Sequence, residues 1–249
     1  MKKSAVLFVS IIYLFTTSCD QLVDTGLSND EIIGGLKTAL TAGTDTSADI
    51  LNTPNGYFGD AAVKILLPPE ADPILDYISD HPLIATILQS KIDDVVLSIN
   101  RAAEDAASEA KPIFINAIST MSIEDGLNIL QGKTVGVADF DSTAATIFLQ
   151  NRTTAELTAA FAPIIDVSLN KKLVGDYSTN EIWSNLITFY NALGPAQPIN
   201  GTLGEYATRK ALDGMFLKVG VEEKKIRKDP FKWASDIIQK VFGYVFKES

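Results

Sequence analysis

The chain predicts an all-α protein, a single irregular multi-helix bundle with one extended Pro/Gly-rich loop. Three observations carry that expectation. Ser/Thr-x-x-Glu boxes open apolar-periodic segments at Ser28–Glu31, Thr153–Glu156, Ser178–Glu181 and Thr202–Glu205. In such a box the hydroxyl accepts from the backbone N–H three residues on, while the glutamate reaches back to the cap. The segments that follow carry apolar residues with helical rather than alternating spacing. No stretch of 20–50 residues repeats, so a solenoid is not expected.

The first residues form a secretion signal. Lys2 and Lys3 make a positive n-region, and Ala5 to Phe15 is an apolar core of about eleven residues, short of the roughly 20 that span a bilayer. Thr16-Thr17-Ser18 ends on a residue small enough for a signal peptidase pocket. Cys19, the single cysteine, follows it. The segment resembles the lipobox of bacterial lipoproteins. Thr17, Ser18 and Cys19 match, and Thr16 stands where an aliphatic residue is usual. The expected organisation is a signal peptide over 1–18, a tether over 19–27 lipidated at Cys19, and a helical domain over 28–249. Two acyl chains already give stable anchoring, so the partner expected first is a membrane, through that lipid. The place expected is the bacterial envelope, facing the periplasm.

Cleavage ahead of Cys19 removes 18 of 249 residues and leaves 231, enough to bury a core without staples. Losing Lys2 and Lys3 takes the formal charge from −10 to −12. So acidic a domain does not bind nucleic acid by phosphate neutralisation.

Along the domain, the Ser28 box starts a helix carrying Ile32, Ile33, Leu36, Ala39 and Leu40, with Gly43 as its expected stop and Gly34-Gly35 inside it. Thr53 to Pro69 holds Pro54, Gly56, Gly59, Pro68 and Pro69, and reads as an irregular loop packed on the helices, or as one short strand over Ala61 to Leu67. A short helix from Pro73 to Ser79 precedes a long periodic segment from Leu83 to Ser119, which Pro112 should kink or split. Its Ala102 to Ala110 stretch suggests close approach of helices. Ser122 caps a helix ending at Gly132, and Lys133 to Phe140 is a loop. Asp141 or Ser142 caps a helix to about Gln150. The Thr153 box opens another to about Leu173, with Pro163 inside it. The Ser178 box starts a helix that Gly194 ends, and the Thr202 box one that reaches Lys228. Asp229-Pro230 opens the last helix.

Some of these residues carry a resemblance. Gly56-Tyr57-Phe58 with Val63 to Pro68, Asn100-Arg101-Ala102-Ala103-Glu104, and Ala144-Ala145-Thr146 with Arg152-Thr153 are three of its motifs. Leu157 to Phe161 with Pro163-Ile164, Lys210 to Gly214, and Glu222 to Arg227 are the others. Over about Leu27 to Phe242 the chain resembles a bacterial family of exported proteins known only as a domain of unknown function. That resemblance implies a family and no mechanism.

Candidate chemistry is sparse. Arg101 and Glu104, three apart on a helix, read either as an anion clamp with a base or as an intrahelical ion pair. Arg209, Lys210 and Asp213 share a face with Gly214, which suits helix packing or a ligand site. Glu222 to Lys228 reads as a solvated, mixed-charge helix end. His81 is the single histidine, so neither a zinc site of ordinary composition nor a cofactor is expected. Asp139 and Asp141 lack the further ligands of a calcium loop. The expected function is a non-enzymatic interaction or structural module with an envelope protein as partner. The alternatives are a helical carrier of a lipid or other apolar molecule, and an enzyme that draws Arg101, Glu104, Arg209 and Asp213 into one cleft.

Overall fold

The computed structural model describes residues 28–174, 177–195, 198–229, 236 and 240–242. Cys19, the signal and the tether, and the helix expected to start at Pro230 apart from residues 236 and 240–242, lie outside that set. Eight helices are named here: α1 (Asn29–Leu51), α2 (Asp72–Ser79), α3 (Pro82–Ala106), α4 (Ala110–Ser119), α5 (Ile123–Leu130), α6 (Ala144–Leu169), α7 (Thr179–Ala192) and α8 (Leu203–Lys228). The bundle is all-α, as the capping boxes and periodicity predict. One short antiparallel pairing, Lys172–Val174 with Tyr177–Ser178, joins α6 to α7.

Three expected starts hold in detail. Ser28, Ser122 and Ser178 each cap their helix reciprocally, with Glu31, Asp125 and Glu181 returning to the cap backbone. The box at Thr153 is not a start. Thr153 sits inside α6, 1% exposed, and its hydroxyl donates back to the Leu149 carbonyl at 2.7 Å. α6 therefore runs unbroken where two helices were expected, and it ends at Leu169 rather than near Leu173. Thr202 precedes α8 without a side-chain cap bond. Gly43 is not a stop either, because α1 continues to Leu51. A Cβ on Gly43 would lie 3.4 Å from Ile226 Cδ1 and 3.6 Å from Glu222 Cβ, so this glycine marks where α1 crosses α8.

The long 83–119 segment does break. α3 ends at Ala106, one 3₁₀ turn spans Ala107–Glu109, and α4 begins two residues before Pro112. Proline is tolerated in a first turn, where its N–H would find no partner. Pro163 lies inside α6 on its exposed face, while Phe161 and Ile165 on the inner face are fully buried. Ala102, Ala103, Ala106, Ala107 and Ala110 are all fully buried, as the close approach of helices requires.

α6 packs on α3, α4 and α8, and α1 packs on α4, α5 and α8. Leu36, Ile99, Phe114, Leu149, Leu157, Phe161, Ile165 and Leu203 form the fully buried centre. Residues 52–68 form no strand and wrap the helices as an irregular loop, with Tyr57, Val63 and Ile65 inside. Among the described residues no helix is long and apolar enough to cross a membrane.

Candidate functional site

Arg101 and Glu104 are used to hold the 52–68 loop. Glu104 is 4% exposed. Its Oε1 accepts from the Tyr57 and Phe58 N–H groups at 3.1 and 3.2 Å, and its Oε2 meets Arg101 at 2.5 Å. Arg101 also donates to Asn55 Oδ1 at 2.9 Å. One turn earlier, the fully buried Asn100 accepts from Ile65 N–H at 2.8 Å and donates to the Ile65 carbonyl at 2.7 Å, as a neighbouring strand would. The Tyr57 hydroxyl donates to the Ala211 carbonyl at 2.7 Å. Burial, and then the Glu104 charge, push its phenol well above its ordinary pKa, so it stays a donor. Gly214 is the reason Tyr57 fits: a Cβ there would stand 2.8 Å from Tyr57 Cε1 and 3.2 Å from Val63 Cβ.

A second clamp joins three helices. Glu223, expected on a solvated helix end, is 5% exposed. It accepts from the Ala145 and Thr146 N–H groups at 3.0 and 2.8 Å, from the Thr146 hydroxyl at 2.7 Å, and from Arg227 Nε at 3.0 Å. Arg227, 4% exposed, donates onward to the Ile129 carbonyl at 2.7 Å. α8 thus presents a carboxylate to the N-terminus of α6 and a guanidinium to the C-terminus of α5, the sign each helix dipole favours. Glu222 is buried beside it, so the expectation of a solvated end fails for Glu222, Glu223 and Arg227.

Arg209 and Asp213 lie elsewhere, in a broad concavity. This cleft of about 930 Å³ lies between α6, α7, α8 and the 199–202 segment. Its wall mixes uncharged polar side chains such as Gln150, Thr154 and Ser184 with apolar ones such as Trp183, Ile187 and Phe216, and Asp166, Glu205, Asp213 and Arg209 are its charges. Asp213 pairs with Lys210 at 3.0 Å, and the Arg209 guanidinium lies 5.7 Å from the Tyr206 ring centre. Neither Arg101 nor Glu104 lines the cleft, so the four residues form no common site. Two wall residues carry buried polar atoms without a hydrogen-bond partner, Trp183 Nε1 and Thr208 Oγ1. Such groups cost about 1–3 kcal/mol each when left unsatisfied, and native structures hold few of them.

The remaining sequence candidates are occupied. His81 stacks on Tyr77 with ring centres 4.1 Å apart, and its Nδ1 lies 2.7 Å from the Tyr77 carbonyl. Asp141 accepts from the Thr143 N–H and hydroxyl and from the Thr134 hydroxyl at 2.7, 2.6 and 2.8 Å. Among the described residues no three His, Cys, Asp or Glu side chains gather as a metal cage.

Five carboxyls set the acid response: Glu31 and Glu181, lowered first by the cap N–H of Ser28 and Ser178 and then by their hydroxyls, and Asp60, Asp125 and Asp141. The hydrogen bond from Lys218, then that from the Ala62 N–H, hold Asp60 below the usual carboxylate range. The Ser122 hydroxyl and N–H, with Arg152 nearby, do the same for Asp125 against some desolvation. For Asp141, desolvation pushes upward, but the Thr143 and Thr134 bonds and the Arg227 charge outweigh it. Folded pKa values below the unfolded ones give stability that is present above about pH 4 and is lost as pH falls through the folded values. Urea midpoints should therefore stay level from pH 7 to about 5 and fall below about 4; a midpoint that rises on acidification would contradict these shifts.

Glu223, Arg227, Trp183 and Thr208 were not singled out from sequence as buried. A signal existed for the first two. Phe216, Val219, Glu223 and Ile226 continue one face of α8, so the glutamate occupies a core position of an apolar stripe. Trp183 and Thr208 carry no comparable signal.

A family model described as a protein of unknown function (DUF4197) matches residues 26–243. No curated protein and no solved structure matches the chain.

Proposed function

We propose that this chain, which belongs to the DUF4197 family of proteins of unknown function, is a lipid-anchored envelope protein acting as a non-enzymatic interaction module through the cleft between α6, α7 and α8. The observation that carries this reading is the cleft itself. Its mixed polar and apolar wall holds two of the three buried, unpartnered side-chain polar atoms among the described residues. The strongest reactive pair in the sequence, Arg101 with Glu104, is engaged by the 52–68 loop instead, which supports a binding rather than a catalytic role. The anchor rests on Cys19 and its flanks alone. The acidic formal charge argues that lipid, not surface charge, holds the domain at an anionic membrane.

Cross-linking in cells followed by affinity capture from envelopes tests the reading. Wild type should recover a defined partner. Ser184→Trp puts an indole in the cleft from an exposed position and should cut recovery at least about tenfold, the scale of a central interface contact. Equal recovery would remove the cleft from the proposal, and no partner from either would remove the module. In the same cells Cys19→Ser should leave the membrane fraction; normal maturation and membrane retention would refute the anchor.

A further inference from the structure

A second concavity, independent of the cleft, lies between α3 and α7. It is a groove of about 480 Å³. α3 contributes Ile84, Ile87, Leu88 and Lys91, one face at i, i+3, i+4 and i+7. α7 contributes Ile182, Asn185, Leu186 and Phe189 with the same spacing. Two matched stripes facing each other normally close into core. Here they stay open: Ile87 is 66% exposed and Phe189 41%. Exposed apolar surface gathered in a groove marks a binding site more often than scattered apolar residues do.

The groove has a polarity. Thr179, at the start of α7, donates to Ser98, late in α3, at 2.6 Å. Phe189, late in α7, meets the Tyr77 ring of α2 at 6.1 Å, just before α3 begins. The two helices therefore run antiparallel. Lys91 and Tyr177 fall toward one end of the groove, and Ile84 and Phe189 toward the other. Lys91 is the one charged residue of the lining, is half-buried, and has no ion pair or hydrogen bond among the described residues. Lys111, Lys171, Lys210, Lys218 and Lys225 are paired with carboxylates, whereas Lys91, unpaired among the described residues like Lys133, Lys224 and Lys228, is the one that lines this groove. As the one charge in an apolar lining, the Lys91 ammonium is complementary to an anion that carries an apolar tail.

We propose that the α3–α7 groove binds a free medium-chain fatty acid, with the carboxylate at Lys91 and the tail between Ile87, Leu88, Leu186 and Phe189. Tail burial supplies the affinity. The ammonium, on a stem long enough to reach the groove end while staying hydrated, sets the orientation and the preference for an acid.

Titration calorimetry with dodecanoate and with dodecanol tests this on the full chain carrying Cys19→Ser, purified without detergent so that no covalent acyl chain competes. Dodecanoate should saturate at one per chain. Lys91→Gln should weaken dodecanoate about tenfold, the loss of one charge-assisted hydrogen bond, and leave dodecanol unchanged. Ile87→Asp should weaken both at least about tenfold, with an unaltered melting curve because Ile87 is exposed. Absence of saturable dodecanoate binding, or equal loss of acid and alcohol in Lys91→Gln, overturns the proposal. So does a groove that serves another occupant: vesicle binding with phosphatidylglycerol, or dimerisation in sedimentation, that Ile87→Asp abolishes while dodecanoate does not bind. Ser184→Trp lies in the other cleft and should not change dodecanoate binding, so this result and the partner-capture result fail separately.

Discussion

Glu223→Ala is expected to lower stability by about 3–5 kcal/mol, the cost of breaking a buried ion pair from one side, and to lower the melting temperature by roughly 10 °C. The loss has three parts. The Ala145 and Thr146 N–H groups at the start of α6 lose their acceptor. The N-terminus of α6 loses the negative charge that its dipole favours. Arg227 is left buried with its hydrogen bonds reduced to the Ile129 and Leu130 carbonyls, near the Asp141 charge and the Phe140 ring. Arg227→Ala should cost less. Glu223 would lose the two bonds from Arg227 but keep three donors from α6 at a helix N-terminus, and the carbonyls at the end of α5 would lose a partner. Because both side chains belong to one network, the double variant should be less unstable than the two single losses added together. Thermal melts of the three variants decide it. Equal and small losses for Glu223→Ala and Arg227→Ala would mean that the clamp adds nothing to packing.

The prediction also shows why much of the fold was legible from the residues and the clamps were not. Helix starts depend on neighbours three residues away, so Ser28, Ser122 and Ser178 could be read as caps from spacing alone. Thr153 shows the limit of that reading. Its box has the right letters, but Leu149 ahead of it and Leu157 after it lie on one buried stripe, and the core extends α6 straight through the box. Gly43 fails for the mirror reason, since a helix crossing needs glycine as much as a helix end does. The Asn100 and Glu104 contacts span 35 to 47 residues, and no local rule reports where the 52–68 loop returns. Pro54, Gly56 and Gly59 mark that loop as irregular, and irregular backbone that enters a core must find hydrogen-bond partners among side chains. Asn100 and Glu104 are those partners. The residues that carry the family resemblance, Gly56 to Phe58, Asn100 to Glu104, Ala144 to Thr146 and Glu222 to Arg227, coincide largely with the two clamps. Their chemistry is that of the scaffold, and the cleft is built from residues outside most of those motifs.

Arg101 and Glu104 give the sharpest test of that division, because a reacting pair and a structural pair respond differently to the same substitutions. Glu104→Ala should cost about 2–5 kcal/mol. It strands two backbone donors, Tyr57 N–H and Phe58 N–H, at about 1–3 kcal/mol for each unsatisfied group. Arg101→Ala should cost about 1 kcal/mol or less. The Arg101 side chain is 40% exposed, so its pairing is screened, and Glu104 would keep both backbone donors. The damage in Glu104→Ala should also be local. α3 has its own core residues, Ile92, Val95, Ile99, Ala102 and Ala103, and the helix should persist while the loop loosens around Tyr57. Hydrogen exchange should then speed up over residues 55–65 before the helices change, and proteolysis should nick there first. Asn100→Leu should extend the same loosening to Ile65, whose N–H and carbonyl it would strand together. If instead Glu104→Ala melts and exchanges like the parent, the carboxylate is not what holds the loop, and its burial beside Arg101 would again need a chemical explanation.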